Sequence, residues 1–392
     1  MDAEEDAAAW AESGVAALSG RGDGPPLLPP GSGATAARQA LRSLAASTES
    51  AVLARLDGAR LLSERAAFTG CGRRGRTSVG GACRLLPTAD GWAAVSCARP
   101  DDPALLGALV GTPVGADPWP PVTAWLRDHT GAELAERAEL LGLAAGPVNP
   151  RQAKSPLERQ GTGRSVRDAL VVDFSALWAG PLCAHLLGLA GARVVKVETP
   201  DRPDGARRGN PDFYRLLHAG HRSVVLAPTT SGGRKAMAAL VAAADIVIEA
   251  SRPRALARFG LNAAASTATG TTWISITAYG RAADRVGFGD DVAAASGLVC
   301  RDIDGTPLFA GDAIADPLTG VTAAALAASV PPGTLLDIAM ADVIAATLDG
   351  PATNPSPPLP SAPPSPRAPS GEAPLSGRDT TEVLQELRIP LP

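Results

Sequence analysis

The chain has 392 residues, 45% hydrophobic but only 4% aromatic, and a formal net charge of −4. That length allows two domains with looser segments between them, built on Ala, Leu and Val rather than on large rings. The charge carries no basic stripe with interleaved aromatics, which argues against nucleic acid, and no run of about 18 apolar residues offers a membrane span.

The five cysteines are dispersed without a CxxC pair and histidine is scarce, so no metal site is expected. Scattered thiols suit a reducing compartment. The opening MDAEEDAAAW is acidic where a secretory leader is basic, and a cytoplasmic location is expected.

In chain order, residues 1–60 read as a helical segment broken by GRGDGPPLLPPGSG, with Ala40, Leu41, Leu44 and Ala45 at helical spacing. Residues 61–150 read as a small α+β domain. There, ACRLLPTADGWAAVSCA gives two strands around an Ala89-Asp90-Gly91 turn, followed by helices through VTAWLRDHT and AELAERAELLGL, the second ending near Gly142. Residues 151–165 are polar and irregular, an inter-domain linker. Residues 166–350 alternate strand and helix: ALVVDFS, ARVVKVE, SVVLA, DIVIEA and TTWISITAYG are strands, and PLCAHLLGLAG and GRKAMAALVAAA are helices. That rhythm predicts an α/β, doubly wound, mainly parallel Rossmann-like sheet beside the smaller α+β domain. Residues 351–376 are a Pro-rich tether, extended or disordered. Residues 377–392 hold a short C-terminal helix capped by Asp379 or Thr380.

Three places carry candidate chemistry. Trp178-Ala179-Gly180-Pro181 joins a strand to a helix, and Glu198 closes the next strand. This is either a nucleotide-like pocket on a helix N-terminus or an ordinary βα turn, because the GxGxxG spacing is absent. Arg252, Arg254 and Arg258 follow a strand end, where anions bind in α/β sheets or where arginines are merely solvated. Asp316-Pro317 opens an Ala-rich helix, and pattern alone makes Asp316 its N-cap and Pro317 its first residue. The same position suits an ionised carboxylate able to attack an acyl carbon. Asp312 reads as a loop residue and His185 as packed, while His218 and His221 are candidates for lining a pocket. A weak repeat sets Ser13-Gly14-Val15 and Asp23-Gly24-Pro25-Pro26 against Ser296-Gly297-Leu298 and Asp304-Gly305-Thr306-Pro307, with Thr35 opposite Asp316.

The run VVDFSALWAGPLCAHLLGLAGARVVKVETP (171–200) resembles the opening of the class III CoA-transferases, the CaiB/BaiF group. GHRSVVLA, ADIVIEASRPRALARFGL, ISITAYG, DDVAAASGL, GDAIADPLTG and LLDIAMADV follow in that family's order. GRTSVGGACRLLPTADGWAAV, ELLGLAAGPV and SGRDTTEVLQELRI resemble the family's later half, so the small-domain half precedes the nucleotide-like half; Ala144 stands where Pro is usual, and residues 1–60 would be a vestigial first-half end. The resemblance implies transfer of coenzyme A, a co-substrate, between an acyl-CoA and a carboxylic acid through an aspartyl anhydride and thioester on Asp316. It implies CoA contacts from Ala176, Leu177, Trp178, Ala179 and Arg258, and a homodimer. Ala176 and Trp178 replace more polar residues of some members, and Thr199 a basic one. The related racemases carry a histidine near Phe288-Gly289-Asp290, where none is present. That disfavours a racemase, which stays an alternative beside a non-catalytic homologue acting as a binding subunit.

Overall fold

The structure, a computed structural model, describes residues 3–115, 117–149, 165–250, 253–348 and 360–392. Nearly all of the expected linker at 151–165, the first part of the Pro-rich tether and Arg252 lie outside the described residues.

The chain begins with helices α1 (Ala3–Glu12), α2 (Gly33–Thr48) and α3 (Glu64–Thr69). Next come strands β1 (Cys83–Thr88) and β2 (Gly91–Ser96), helices α4 (Asp102–Val110), α5 (Trp119–Arg127) and α6 (Gly131–Leu141), and strand β3 (Ala145–Pro147). The strands form a small antiparallel sheet, β1-β2-β3. The α4 helix and β3 add to what the sequence predicts. Leu86, Leu106, Leu109, Val122, Leu126 and Leu134 make its core. A Thr130–Glu133 capping box starts α6 and Gly142, at φ 68°, ends it, the two devices that fix helix length.

The second half continues with β4 (Leu170–Asp173), α7 (Ala179–Leu189), β5 (Arg193–Glu198), α8 (Pro211–His218), β6 (Arg222–Val225), α9 (Ser231–Ala242), β7 (Ile246–Glu249), α10 (Pro253–Ala257), α11 (Ala263–Ala268) and β8 (Thr272–Thr277). After these come α12 (Gly289–Ala295), the hairpin β9 (Val299–Arg301) and β10 (Pro307–Phe309), α13 (Ala315–Ala327), β11 (Leu335–Ala339), α14 (Met340–Ala345) and α15 (Thr380–Glu386). Six strands form one parallel sheet in the order β11-β8-β7-β4-β5-β6, with Val172 opposite Val195 on one side and Val247 on the other.

Alternate strand residues leave the sheet on opposite faces. Val171, Ile246, Ile248 and Ile274 pack under α7 and α13, while Val172, Val195, Val247 and Trp273 pack under α9 and α15. Both faces are therefore covered, as a parallel sheet requires. Helix α13 is enclosed almost all round, between α7, α2 and α14. Its small residues permit that. A Cβ on Gly320 would stand 2.6 Å from Ala179 O and 3.0 Å from Leu182 Cβ, so α7 and α13 touch backbone to backbone there.

Two local expectations change. Helix α13 begins one residue before Asp316, whose N–H donates to Ala313 O at 2.9 Å. Asp316 is therefore not the N-cap, because the preceding turn is already helix-like and leaves the carboxylate pointing outward. At α15, Asp379 occupies the cap position, but its carboxylate accepts the Ser223 N–H at 2.8 Å and ties the helix to β6. Residues 360–376 lie extended along the body. Ala362 N donates to Ala11 O at 2.8 Å, and Arg367 forks onto the buried Glu64 at 2.6 and 3.0 Å.

Candidate active site

In the sheet order, β4 runs outward to β5 and β6, whereas β7, β8 and β11 lie on its other side. Such a reversal opens a crevice beyond the strands' carboxyl ends, the usual ligand position in doubly wound sheets. A cleft of about 220 Å³ lies there. Ala176, Leu177 and Ala179 line it from the β4 side, Ala250 after β7, Ile276 to Ala278 at the end of β8, and Met340 after β11. Asp316 lines it from α13, and Arg99 and Arg285 line it as well.

The β4–α7 turn is tightly held. Leu177 adopts φ +70°, a conformation a branched residue keeps only when its surroundings impose it. Its N–H donates to Asp204 Oδ1 at 3.0 Å, and Asp204 Oδ2 pairs with Lys196 Nζ at 2.9 Å. Lys196 also donates to Ser175 O and stands 3.5 Å from Asp173 Oδ2; all three charged side chains are buried. A Cβ on Gly180 would fall 2.2 Å from Ser175 Cβ, so glycine lets helix α7 start directly against the turn. Leu177 itself stays 44% exposed and faces the cleft.

Asp316 is half-buried, and burial pushes its carboxyl up to about 7, against the pull of Arg65 and with the push of Asp290, Asp291 and Asp312. Behind it lies an acidic nest. Asp290 accepts the Ala313 N–H at 2.8 Å and is pushed to about 6 by burial and by Asp312. Asp291 accepts from Ser96 Oγ at 2.8 Å and from Phe288 N at 3.0 Å, and burial raises it to about 7. Arg65 meets the buried Asp312 through two bonds, at 2.8 and 2.5 Å, with its guanidinium 5.1 Å from the Trp178 ring centroid. One arginine thus offsets part of the charge of this acidic nest, and burial raises Asp290, Asp291 and Asp316.

Asp316, Ala176, Leu177 and Ala179 line one cleft. Trp178 is buried at 1% exposure and packs edge-on against Phe213, so its ring turns away from the cleft. Arg258 lies exposed past α10, and Arg254 pairs with Asp284; neither lines the cleft. His218 and His221 are buried, His218 with its Nε2 3.9 Å from Asp204. They pack beneath the sheet edge instead of lining the cleft. Arg65, Arg99 and Arg285 enter from elements distant in sequence, and no local pattern marks them; Asp290 and Asp291 open the DDVAAASGL stretch, which gave no hint of their place beside Asp316. Among the described residues no group of three His, Cys, Asp or Glu is placed to hold a metal ion, and no helix is long and apolar enough to cross a membrane.

Gly289 abuts the carboxylate: a Cβ there would stand 2.3 Å from Ala313 O and 2.7 Å from Asp316 Oδ2. Gly289→Ala should displace the Asp316 side chain and lower stability by about 1–3 kcal/mol. Thermal melts check this. Unchanged values would mean the loop yields freely.

A doubly wound α/β sheet with a desolvated aspartate at its switch-point crevice defines a class of ligand-binding α/β protein whose site can support covalent carboxylate chemistry. A family model, "CoA-transferase family III", matches residues 166–371, just over half of the chain, and the chain belongs to that family. It is 31% identical over 205 residues to a succinate–glutarate CoA-transferase of Agrobacterium fabrum, covering 45% of this chain and 51% of that protein. It is 30% identical over 175 residues to a succinyl-CoA–D-citramalate CoA-transferase of Chloroflexus aurantiacus, covering 41% and 44%. A crystal structure of a CaiB/BaiF family protein from Brucella suis is similar at 26% identity and TM-score 0.43, covering 48% of this chain and 56% of that one. The chain spans about half the length of the curated relatives it matches.

Proposed function

We propose that this chain transfers coenzyme A from an acyl-CoA to a carboxylic acid, with Asp316 as nucleophile. The observation that carries the reading is the desolvated carboxylate in the switch-point cleft, on a chain of this family. An Asp316 oxygen adds to the thioester carbon and the C–S bond breaks, leaving an acyl–aspartyl anhydride and CoA thiolate. The thiolate attacks the aspartyl carbonyl, releasing the donor acid and leaving an aspartyl–CoA thioester. The acceptor carboxylate displaces CoA to form a second anhydride. The returning thiolate takes the acceptor acyl group and frees Asp316, with no net proton consumed. First-turn N–H groups of a helix have no intrahelical partner, and those of α7, at Ala179, would face each oxyanion. Ala176, Leu177, the Trp178 backbone and Ala179 are the proposed CoA-contacting turn, with Arg258 reaching the nucleotide.

A second reading, a CoA-binding homologue without turnover, is favoured by the order of the small-domain and nucleotide-like halves and by the repeat in residues 1–60, and opposed by the presence of Asp316. Incubation with a panel of acyl-CoAs followed by intact-mass spectrometry separates the two. The transferase gives a CoA or acyl adduct, cleaved by hydroxylamine and absent in Asp316→Ala. CoA binding with no adduct in any combination would overturn it.

The repeat in the first 60 residues supports a further proposal, that α1 and α2 descend from a copy of α12 and α13. Thr35 Oγ1 donates to Asp6 Oδ1 at 2.6 Å. Asp6 lies seven residues before Ser13, and Gly289, which abuts Asp316, lies seven before Ser296. Helix α2 also packs directly on α13.

A further inference from the structure

The cleft's two arginines are not equivalent. Arg99 is committed: its guanidinium holds Asp102 at 2.6 and 2.8 Å and Gly142 O at 2.8 Å. Arg285 is held without being neutralised. Its guanidinium carbon stacks 3.9 Å from the Tyr279 ring centroid. On its other side Nη2 lies against β3, where a Cβ on Gly146 would come within 3.1 Å of it. The adjacent acid, Asp284, is turned to Arg254. Among the described residues no carboxylate pairs with Arg285.

A half-buried guanidinium fixed by an aromatic face, open toward a small cleft and lacking its own acid, is arranged to receive an anion. A planar fork suits carboxylate and phosphate alike. Position decides between them. Arg285 lines the same 220 Å³ space as the Asp316 carboxylate, so an anion held there lies close to the reacting carbonyl. The phosphates of a CoA thioester are separated from that carbonyl by the whole pantetheine arm, whereas the far carboxylate of a short diacid is a few bonds away.

We propose that Arg285 is the specificity-determining residue of this site, binding the non-reacting carboxylate of a short dicarboxylic acid while its other end meets Asp316. This deepens the transferase reading and rests on it for the reaction, but not for the binding.

The test compares succinate with butyrate as acceptors, using one acyl-CoA donor, in wild type, Arg285→Gln and Arg285→Lys. The wild type should favour succinate in kcat/KM. Arg285→Gln should collapse the succinate-to-butyrate ratio by about 10- to 100-fold, and Arg285→Lys should recover part of it. A ratio unchanged in Arg285→Gln overturns the proposal. So does a loss that appears instead as a higher donor KM, equal for both acceptors and smaller with a pantetheine thioester lacking the nucleotide, since that assigns the arginine to CoA phosphate. Calorimetric titration of succinate into the same proteins needs no turnover. If no acid accepts CoA from the wild type, the transferase reading fails, and Arg285-dependent succinate binding still decides the subsite. Matching thermal melts and near-UV spectra confirm that each variant is folded.

Discussion

On the proposed transferase reading, Asp316→Asn should abolish CoA transfer, lowering kcat by about 10⁴-fold or more, as removal of a covalent nucleophile does. The change is nearly isosteric, so it removes the nucleophile without emptying the cleft. On the same reading the wild-type protein should show the matching pH dependence. Only the carboxylate attacks, and burial pushes Asp316 to about 7. The rate should therefore climb about tenfold per pH unit below 7 and level off near 8. Asp290, pushed to about 6, and Asp291, to about 7, titrate with it, so the limb belongs to the acid nest as a whole. Stability should run the opposite way. A carboxyl raised above its unfolded value of about 3.9 keeps its proton longer in the folded state, so stability falls as pH rises from about 4 toward 7. Asp316→Asn removes that penalty. It should melt above the wild type at pH 8 and with it near pH 3.5. A rate limb centred near 4, or full turnover in the variant, would remove Asp316 from the chemistry.

The sheet was legible because strands buried on both faces read as apolar runs without alternation: LVVD and IVIE each open with three consecutive apolar residues, and TWISIT is rich in β-branched ones. Asp316 was legible as a position but not as a geometry. Pattern makes Asp-Pro a cap and first turn, whereas the glycine-initiated turn at Gly311 and the strained Ala313, at φ +43°, start the helix earlier and free the carboxylate. What surrounds Asp316 was not legible. Arg65 reaches Asp312 across 247 residues and Ser96 reaches Asp291 across 195. A single arginine in ERAAFT or a serine at a strand end carries no local trace of such a partner. The strand β3 was missed for the same reason: three residues, AGP, acquire their state only by pairing with β2.

The other large effect should come from Lys196→Met. Lys196 lies at 1% exposure between Asp204 Oδ2 at 2.9 Å and Asp173 Oδ2 at 3.5 Å, both fully buried. Removing one partner of a buried pair leaves an uncompensated charge and typically costs about 3–5 kcal/mol; here two carboxylates lose their cation together. In the native protein Asp204 is held below the usual carboxylate range, against its burial, chiefly by Lys196. Its contribution is present above about pH 4 and lost as pH falls through its lowered value. Asp173 is raised by burial despite Lys196, and Lys196 is raised, against its burial, by the two acids, so its own contribution is lost only in strong alkali. In Lys196→Met both acids must rise. The folded form then holds protons that the unfolded chain has released, and stability falls steadily from about pH 4 to 8. The deficit against wild type should therefore be small near pH 3.5 and reach the full 3–5 kcal/mol by pH 8. Adding Asp204→Asn should recover part of it while keeping an acceptor oxygen for the Leu177 N–H. Denaturant titrations at the two pH values measure this. An equal deficit at both would mean that Lys196 fills space and does not hold charge. Because Asp204 also fixes Leu177 in its left-handed turn, the single variant should bind CoA more weakly at pH 8 even where it remains folded, and the double variant should bind it better.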